Sequence, residues 1–385
     1  MLSCKKDLFS LPENLHYLNC AYMGPLSRRV EEAGIAGIRR KGDPAQIRSA
    51  DFFTDADRAR GLFARLVNAP DPRRIAIIPA VSYGIATVAR NTPWEPGQNV
   101  VVAGGQFPSN VYAWRRLCRE HGVELRTVAP PDAHPQRGRD WNARLLEAID
   151  SRTAVVALGH VHWADGARFD LERIGERARE QGAALIVDGT QSVGALPFDV
   201  QRIQPDALVC AGYKWLLGPY SIGLAYFGPR YDDGVPLEES WLGREGSEDF
   251  RGLVSYRDDY QPGAIRYDVG ERSNFILLPM LIAALEQLLE WGVAEIQAYC
   301  AQLTHELVAE ARTLGFVVQA DDERGAHLFG LRAPPGTDIA RVQALLAERN
   351  VVAALRGDAL RIAPNLYNDA ADIDALREVL RAITP

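Results

Sequence analysis

An acid and an amine, each at the end of an apolar run, are the first residues in the sequence able to do chemistry together. Asp188 closes ALIVD, and Lys214 follows VCAGY at the end of the next apolar run. Open parallel sheets bind ligands outside the carboxyl ends of their strands, so residues at two such ends face one crevice. There an amine can form an imine and a carboxylate can keep a heteroaromatic nitrogen protonated, the two things a pyridoxal cofactor needs. Taken alone, the same two residues also read as a turn-capping aspartate and a solvated lysine.

Other residue types complement that pair. In PAVSYGIATVARN a strand turns into a helix near Ser82, and helix N-termini offer backbone N–H groups to a phosphate. Ser82 alternatively serves as an N-cap. Phe107, in GGQFPSN, offers a ring for stacking on a flat heteroaromatic, or is a core phenylalanine. LRGDALRIAPNLYN holds Arg356 and Arg361, whose planar guanidiniums match a carboxylate two atoms at a time. Arginines on a strand pair are otherwise surface ion-pair partners. His160 and His162, in GHVHWADGARFDL, titrate near neutrality and are acid or base candidates beside the lysine.

The elements that must position these residues are legible from about residue 74 to 227. Apolar, β-branched runs at 74–80, 99–105, 153–161, 183–190, 206–212 and 221–228 alternate with helical patterns such as SNVYAWRRLCREHG and LERIGERAREQG. This predicts a mostly parallel sheet covered by helices. After a polar stretch at 230–272 come LLPMLIAALEQLLEWG, a second long helix, and a mixture of strands and helices that predicts a smaller α/β lobe. The expected division is a large domain over 16–255 and a small C-terminal domain over 256–385 joined by residues 1–15.

The motif D-x-x-Q-S-x-G followed by Gly-Tyr-Lys-Trp-Leu-Leu-Gly-Pro resembles the class V aminotransferases, a family that includes cysteine desulfurases, kynureninases and isopenicillin N epimerase-like proteins. The resemblance runs from about residue 16 to 370. It implies the fold type I pyridoxal-enzyme architecture, with a seven-stranded-type sheet, and pyridoxal 5′-phosphate as cofactor. It makes Lys214 the Schiff-base lysine, pairs Asp188 with the pyridinium nitrogen, and sets Gln191 on the ring hydroxyl. It puts Ser82, Tyr83 and Tyr213 at the phosphate and stacks Phe107 on the ring, as in kynureninases. R-I-A-P-N-L-Y-N makes Arg361 the clamp on the substrate α-carboxylate, with Arg356 beside it and Asn365 and Asn368 orienting the fork. Trp163 stands where desulfurases carry an Asn that touches the cofactor, and HYLNCAYMG puts Asn19 and Cys20 near the substrate. Ser273 and Asn274 resemble the turn that reaches a neighbouring subunit's phosphate, which implies a homodimer with shared sites; helix capping is their other reading.

Composition narrows the partners. A net charge of −7 gives no field attracting nucleic acid, and no apolar run is long enough to span a membrane. The opening residues lack a signal peptide's apolar core, which predicts a cytoplasmic protein. Five scattered cysteines without a C-x-x-C pair predict neither structural disulfides nor a metal site.

The reaction is read from what is missing. Residues 326–360 contain no cysteine to accept sulfur, which argues against desulfuration unless Cys20 substitutes. D-G-T-Q-S departs from the D-x-x-H pattern of kynureninases. The reading is therefore transamination of a small α-amino acid, with a β- or γ-lyase as the alternative and a non-catalytic cofactor-binding homologue as the third.

Overall fold

Six of the apolar runs fold as expected into strands of one sheet, in a computed structural model that describes residues 2–383. The outermost residues of the expected small domain, 1, 384 and 385, lie outside the described residues. The strands are β1 (Ile75–Ile78), β2 (Asn99–Ala103), β3 (Glu124–Val128), β4 (Thr153–Gly159), β5 (Ala184–Asp188), β6 (Ala207–Ala211) and β7 (Gly223–Phe227). Their spatial order is β1-β7-β6-β5-β4-β2-β3, and only β7 runs against its neighbours. β3 is the strand that the apolar pattern does not announce: it lies at an edge and, of ELRTV, only Val128 is buried.

The inner strands read as unbroken apolar runs because both faces are covered. Ile75, Ile77, Val101 and Ala103 belong to one core, while Ala76, Ile78, Val100 and Val102 belong to the opposite one. Helix α1 (Arg28–Gly42) stands off the sheet, while α2 (Asp51–Leu66), α3 (Val81–Arg90), α4 (Tyr112–His121), α5 (Arg137–Ala148) and α6 (Leu171–Glu180) pack on its strands. The long apolar helix α7 (Leu277–Trp291) packs on α1 and α2, and Leu281, Leu285 and Leu288 join the first core. Among the described residues no single helix is long and apolar enough to cross a membrane.

A separate core forms beyond residue 306 around Leu307, Phe329, Leu345 and Leu376. It is built from the second half of α8 (Val293–Thr313), α9 (Ile339–Glu348), α10 (Ala370–Ile383) and an antiparallel sheet of order β9-β10-β8. There β8 is Phe329–Arg332, β9 is Ala354–Arg356 and β10 is Ala359–Ile362. Drawn by shared core, α7 and the start of α8 go with the large sheet, while Leu18 from the N-terminal segment goes with the small one. Val351–Val352 leaves the expected strand pair and instead aligns in parallel with His16–Tyr17.

Candidate active site

The carboxyl ends of β1, β2, β4, β5 and β6 lie at one edge of the sheet, where the loop into the reversed β7 also starts. They enclose a cavity of about 300 Å³. Asp188, Gln191, Tyr213 and Lys214 line it, as do Ser82, Phe107 and Trp163 from other strand ends. The acid and the amine thus meet as the strand-end argument requires.

β5 is buried along its length, so Asp188 emerges into the cavity and remains 9% exposed. Its Oδ1 accepts the Thr190 backbone N–H at 3.0 Å. Burial pushes its carboxyl above the usual range, with hydrogen bonds from Thr190 and the charge of Lys214 opposing. Lys214 is 6% exposed, and among the described residues no hydrogen bond or ion pair holds its Nζ. Two aromatic rings stand near it: Nζ lies 5.3 Å from the Phe107 ring centroid and 5.5 Å from that of Tyr213. Burial pulls the amine down to about 8; Asp188 opposes that shift, and the guanidiniums of Arg361 and Arg356 reinforce it.

The loop bearing Lys214 is held from outside. The Gly24 N–H donates to Tyr213 O at 2.9 Å, and a Cβ at Gly24 would stand 2.3 Å from Lys214 O. Beyond the lysine, Leu217 (φ 53) and Ser221 (φ 66) adopt left-handed backbone, which costs on the order of 1 kcal/mol or more each.

At the end of β1, helix α3 starts at Val81, and its N-cap is Ala80, which has no capping side chain. Ser82 is therefore not the cap; it sits in the first turn, exposed at the cavity. The first N–H groups of a helix lack acceptors of their own, so this end presents donors and positive potential to the cavity. Tyr83 departs from expectation. Successive helix residues point about 100° apart, and its ring packs into the core that α3 itself covers, off the cavity lining, with its hydroxyl buried and unpartnered.

Gln191 is fixed on three sides. Its Oε1 accepts from Trp215 Nε1 at 2.9 Å, its Nε2 donates to Ala21 O at 3.1 Å, and its carbonyl accepts from His327 Nε2 at 2.8 Å. Burial holds His327 down at about 4, so it is neutral and its Nδ1 accepts from Gln297. Neither Trp215 nor His327 stands out as functional in the sequence. The indole N–H beside Lys214 is the one available signal, since a buried Trp seeks an acceptor; His327 has none.

Arg361, 1% exposed on β10, donates from Nη1 to Trp163 O at 2.8 Å and from Nη2 to Asn19 Oδ1 at 3.2 Å. These two groups orient the fork. Asn365 and Asn368 do not: Asn365 Nδ2 reaches Cys20 Sγ, and Asn368 binds Tyr17 O and Asp372, because both point back toward the N-terminal segment. Arg356 lies with its Cζ 5.3 Å from the Trp163 ring centroid. Trp163 itself donates to Gly105 O at 2.7 Å and meets Phe107 edge-on at 5.5 Å.

Cys20 is fully buried against Lys214 O, and burial lifts its thiol to about 12, so it holds its proton. His160 is buried, outside the cavity lining, and its ring is kept neutral by burial at about 3. His162 lines the cavity with both ring nitrogens engaged, by Asp165 and Gly105 O. Ser273 and Asn274 are not at this cavity within the chain. Ser273 Oγ binds Phe52 O, and Asn274 Oδ1 caps α7 by accepting from Ile276 and Leu277 N–H groups. Among the described residues no cluster of His, Cys, Asp or Glu could hold a metal ion.

A buried carboxylate with one backbone donor, a buried amine with no partner and an uncapped helix end around one cavity fit a group bearing a ring N–H, an aldehyde and a phosphate.

Comparison with known proteins agrees. The family model for Aminotransferase class-V matches residues 44–376. The chain is 29% identical over 385 residues to isopenicillin N epimerase of Streptomyces clavuligerus, covering 95% of this chain and 94% of that one. Its fold is similar to a cysteine desulfurase from Thermococcus onnurineus NA1, with TM-score 0.83, 18% identity and coverage of 100% and 99%. It is also similar to the cystine C–S lyase C-DES in complex with its product cysteine persulfide, with TM-score 0.82, 21% identity and coverage of 97% and 99%. The chain therefore belongs to the class V aminotransferase family, and its cofactor is pyridoxal 5′-phosphate.

Proposed function

We propose that the protein transfers the amino group of a small α-amino acid to a 2-oxo acid. The observation that carries this reading is that, among the cavity-lining side chains described, Lys214 alone has a nitrogen with no partner. The cofactor, when bound, supplies an aldehyde for that amine and a ring that accepts the electron pair left at the substrate α-carbon.

Each residue then has a task. Asp188 keeps the ring nitrogen protonated, and Gln191, clamped by Trp215 and Ala21, offers its remaining amide hydrogen to the ring hydroxyl. Ser82 and the N-terminus of α3 hold the phosphate, with Tyr213 beside them, and Phe107 covers the ring. Arg361 takes the α-carboxylate, and Asn19 and Trp163 fix its plane. Lys214 Nζ removes the α-proton; lowered to about 8, it is free base near neutrality far more often than an ordinary lysine. Cys20 is held as a thiol and no cysteine among the described residues lines the cavity, which speaks against desulfuration.

With its cysteines free, we place the enzyme in the reducing cytoplasm. We also infer a homodimer in which the Ser273–Asn274 turn approaches the partner's phosphate site. Light scattering of the purified protein tests the second point, and a monomeric mass with full activity would refute it.

The test of the reaction is to load purified protein with pyridoxal phosphate and supply amino acids with and without a 2-oxo acid. Amino transfer that depends on the oxo acid is the expected result. Release of ammonia or of an oxo acid without an acceptor would make it a lyase, and loss of configuration at the α-carbon without transfer would make it an epimerase. Borohydride that fixes no cofactor on Lys214 would refute the lysine's assignment.

A further inference from the structure

Two guanidiniums stand beside the cavity with no acid to neutralise either. β9 and β10 pair antiparallel with Ala354 opposite Arg361, so Arg356, two residues on, lies diagonally across from Arg361 on the same face. Trp163 touches both: its carbonyl receives Arg361 Nη1, and its ring lies under Arg356. Arg361 Nε and Arg356 Nε are buried without a partner. Among the described residues the other bonds from Arg356 and Arg361 are to Leu355 O and Asn19 Oδ1. Among the described residues no carboxylate lies within ion-pair reach of either.

This arrangement is costly in the protein alone. A buried charge without a counter-ion is destabilising, and here a second, half-buried like charge lies diagonally beside Arg361. The Arg361 guanidinium is held down at about 10 by burial and by the Arg356 charge, and both arginines depress Lys214. Asp188 is the one acid lining the cavity, and its role at the ring leaves none for the arginines. A single α-carboxylate would answer only one of the two forks.

We propose that the substrate is an α-amino acid with a second carboxylate on its side chain, the α-carboxylate binding Arg361 and the distal one Arg356. This rests on the pyridoxal reading of the site and narrows its substrate class. Each planar fork matches a carboxylate, and Trp163, held by Gly105 O, keeps the two forks apart.

The experiment has two arms. In the first, cofactor-free protein is titrated calorimetrically with succinate, glutarate and adipate, and with butyrate as the single-carboxylate control. At least one diacid is expected to bind about ten-fold or more tightly than butyrate, from one added charged hydrogen-bonded pair. Arg356→Gln should bring that ratio to about one, and Arg356→Lys should restore only part of it. In the second arm, loaded enzyme is scanned for cofactor absorbance changes with aspartate, glutamate, 2-aminoadipate, alanine, norvaline and O-phosphoserine. The dicarboxylic acids should saturate at the lowest concentration.

Equal affinity for diacids and butyrate, an unchanged ratio in Arg356→Gln, or tighter binding of O-phosphoserine than of every dicarboxylic acid would overturn the proposal. Failure of the cofactor reading looks different: no borohydride-stable adduct on Lys214, with the calorimetric preference for diacids intact.

Discussion

Two pairs of neighbouring arginines, Arg60 with Arg272 and Arg361 with the half-buried Arg356, are handled in opposite ways. Arg60 and Arg272 share Asp268: Arg60 Nη1 meets Oδ1 at 2.9 Å, Arg272 Nη1 meets Oδ2 at 2.6 Å, and the Ile77 N–H adds a further donor at 2.8 Å. Arg356 and Arg361 share only a tryptophan and have no acid. The first cluster has its acid within the chain and ties α2 to the segment before α7. The second has no acid among the described residues, and the proposed anionic substrate would supply one. Whether a buried charge finds its partner inside the sequence thus separates what holds the fold from what waits for substrate.

Substituting charges from each kind of site should break function and stability separately. The largest effect is expected for Lys214→Met, which removes the unpartnered amine and keeps its apolar stem. Turnover should fall by about 10⁴-fold or more, measured as oxo-acid-dependent amino transfer. The same variant should make the cofactor-free protein more stable. In the folded state the amine titrates near 8 against 10.5 for an ordinary lysine, so below about pH 8 the folded protein carries a charge that burial penalises. Denaturant melts at about pH 6 should show a gain on the order of 2–3 kcal/mol, and this gain should fade as the pH rises from 8 toward 10.5.

Asp268→Ala leaves two buried guanidiniums without their acid and should cost about 3–5 kcal/mol of stability in the same melts. A loss under 1 kcal/mol would erase the contrast between the two pairs. Arg361→Gln should do the reverse, weakening amino-acid binding by about ten- to a hundred-fold with little loss of melting temperature. The smallest effect is expected for Cys20→Ala, where a protonated thiol is removed. Turnover should stay within about three-fold, and a loss comparable to that of Lys214→Met would restore a chemical role for this sulfur.

Much of this was legible because strands are short and their ends are marked. ALIVD and VCAG predict buried strands, so Asp188 and Lys214 could be set at one edge before any contact is known. What resisted reading depends on partners far along the chain or on rotation about an element. β3 escapes because an edge strand needs only one buried face. The sequence puts Tyr83 beside Ser82, and one step around α3 turns its ring away from the cavity into the core beneath the helix. Asn365 and Asn368 sit next to Arg361 in sequence, yet the fork is oriented by Trp163 and Asn19, which no local pattern links to it. Gln191 could be assigned from its motif, but its anchoring by His327 depends on the fold bringing the small domain's first loop onto the large one.

The bond from Arg361 to Asn19 joins residues 342 positions apart. Contacts of such long sequence separation pay their loop-closure entropy before they repay it, so they form slowly. The carboxylate cradle should accordingly be among the last parts of the molecule to assemble. During refolding from denaturant, the sheet and its aromatic core would regain their fluorescence first, and capture of an acid by the arginine would lag behind.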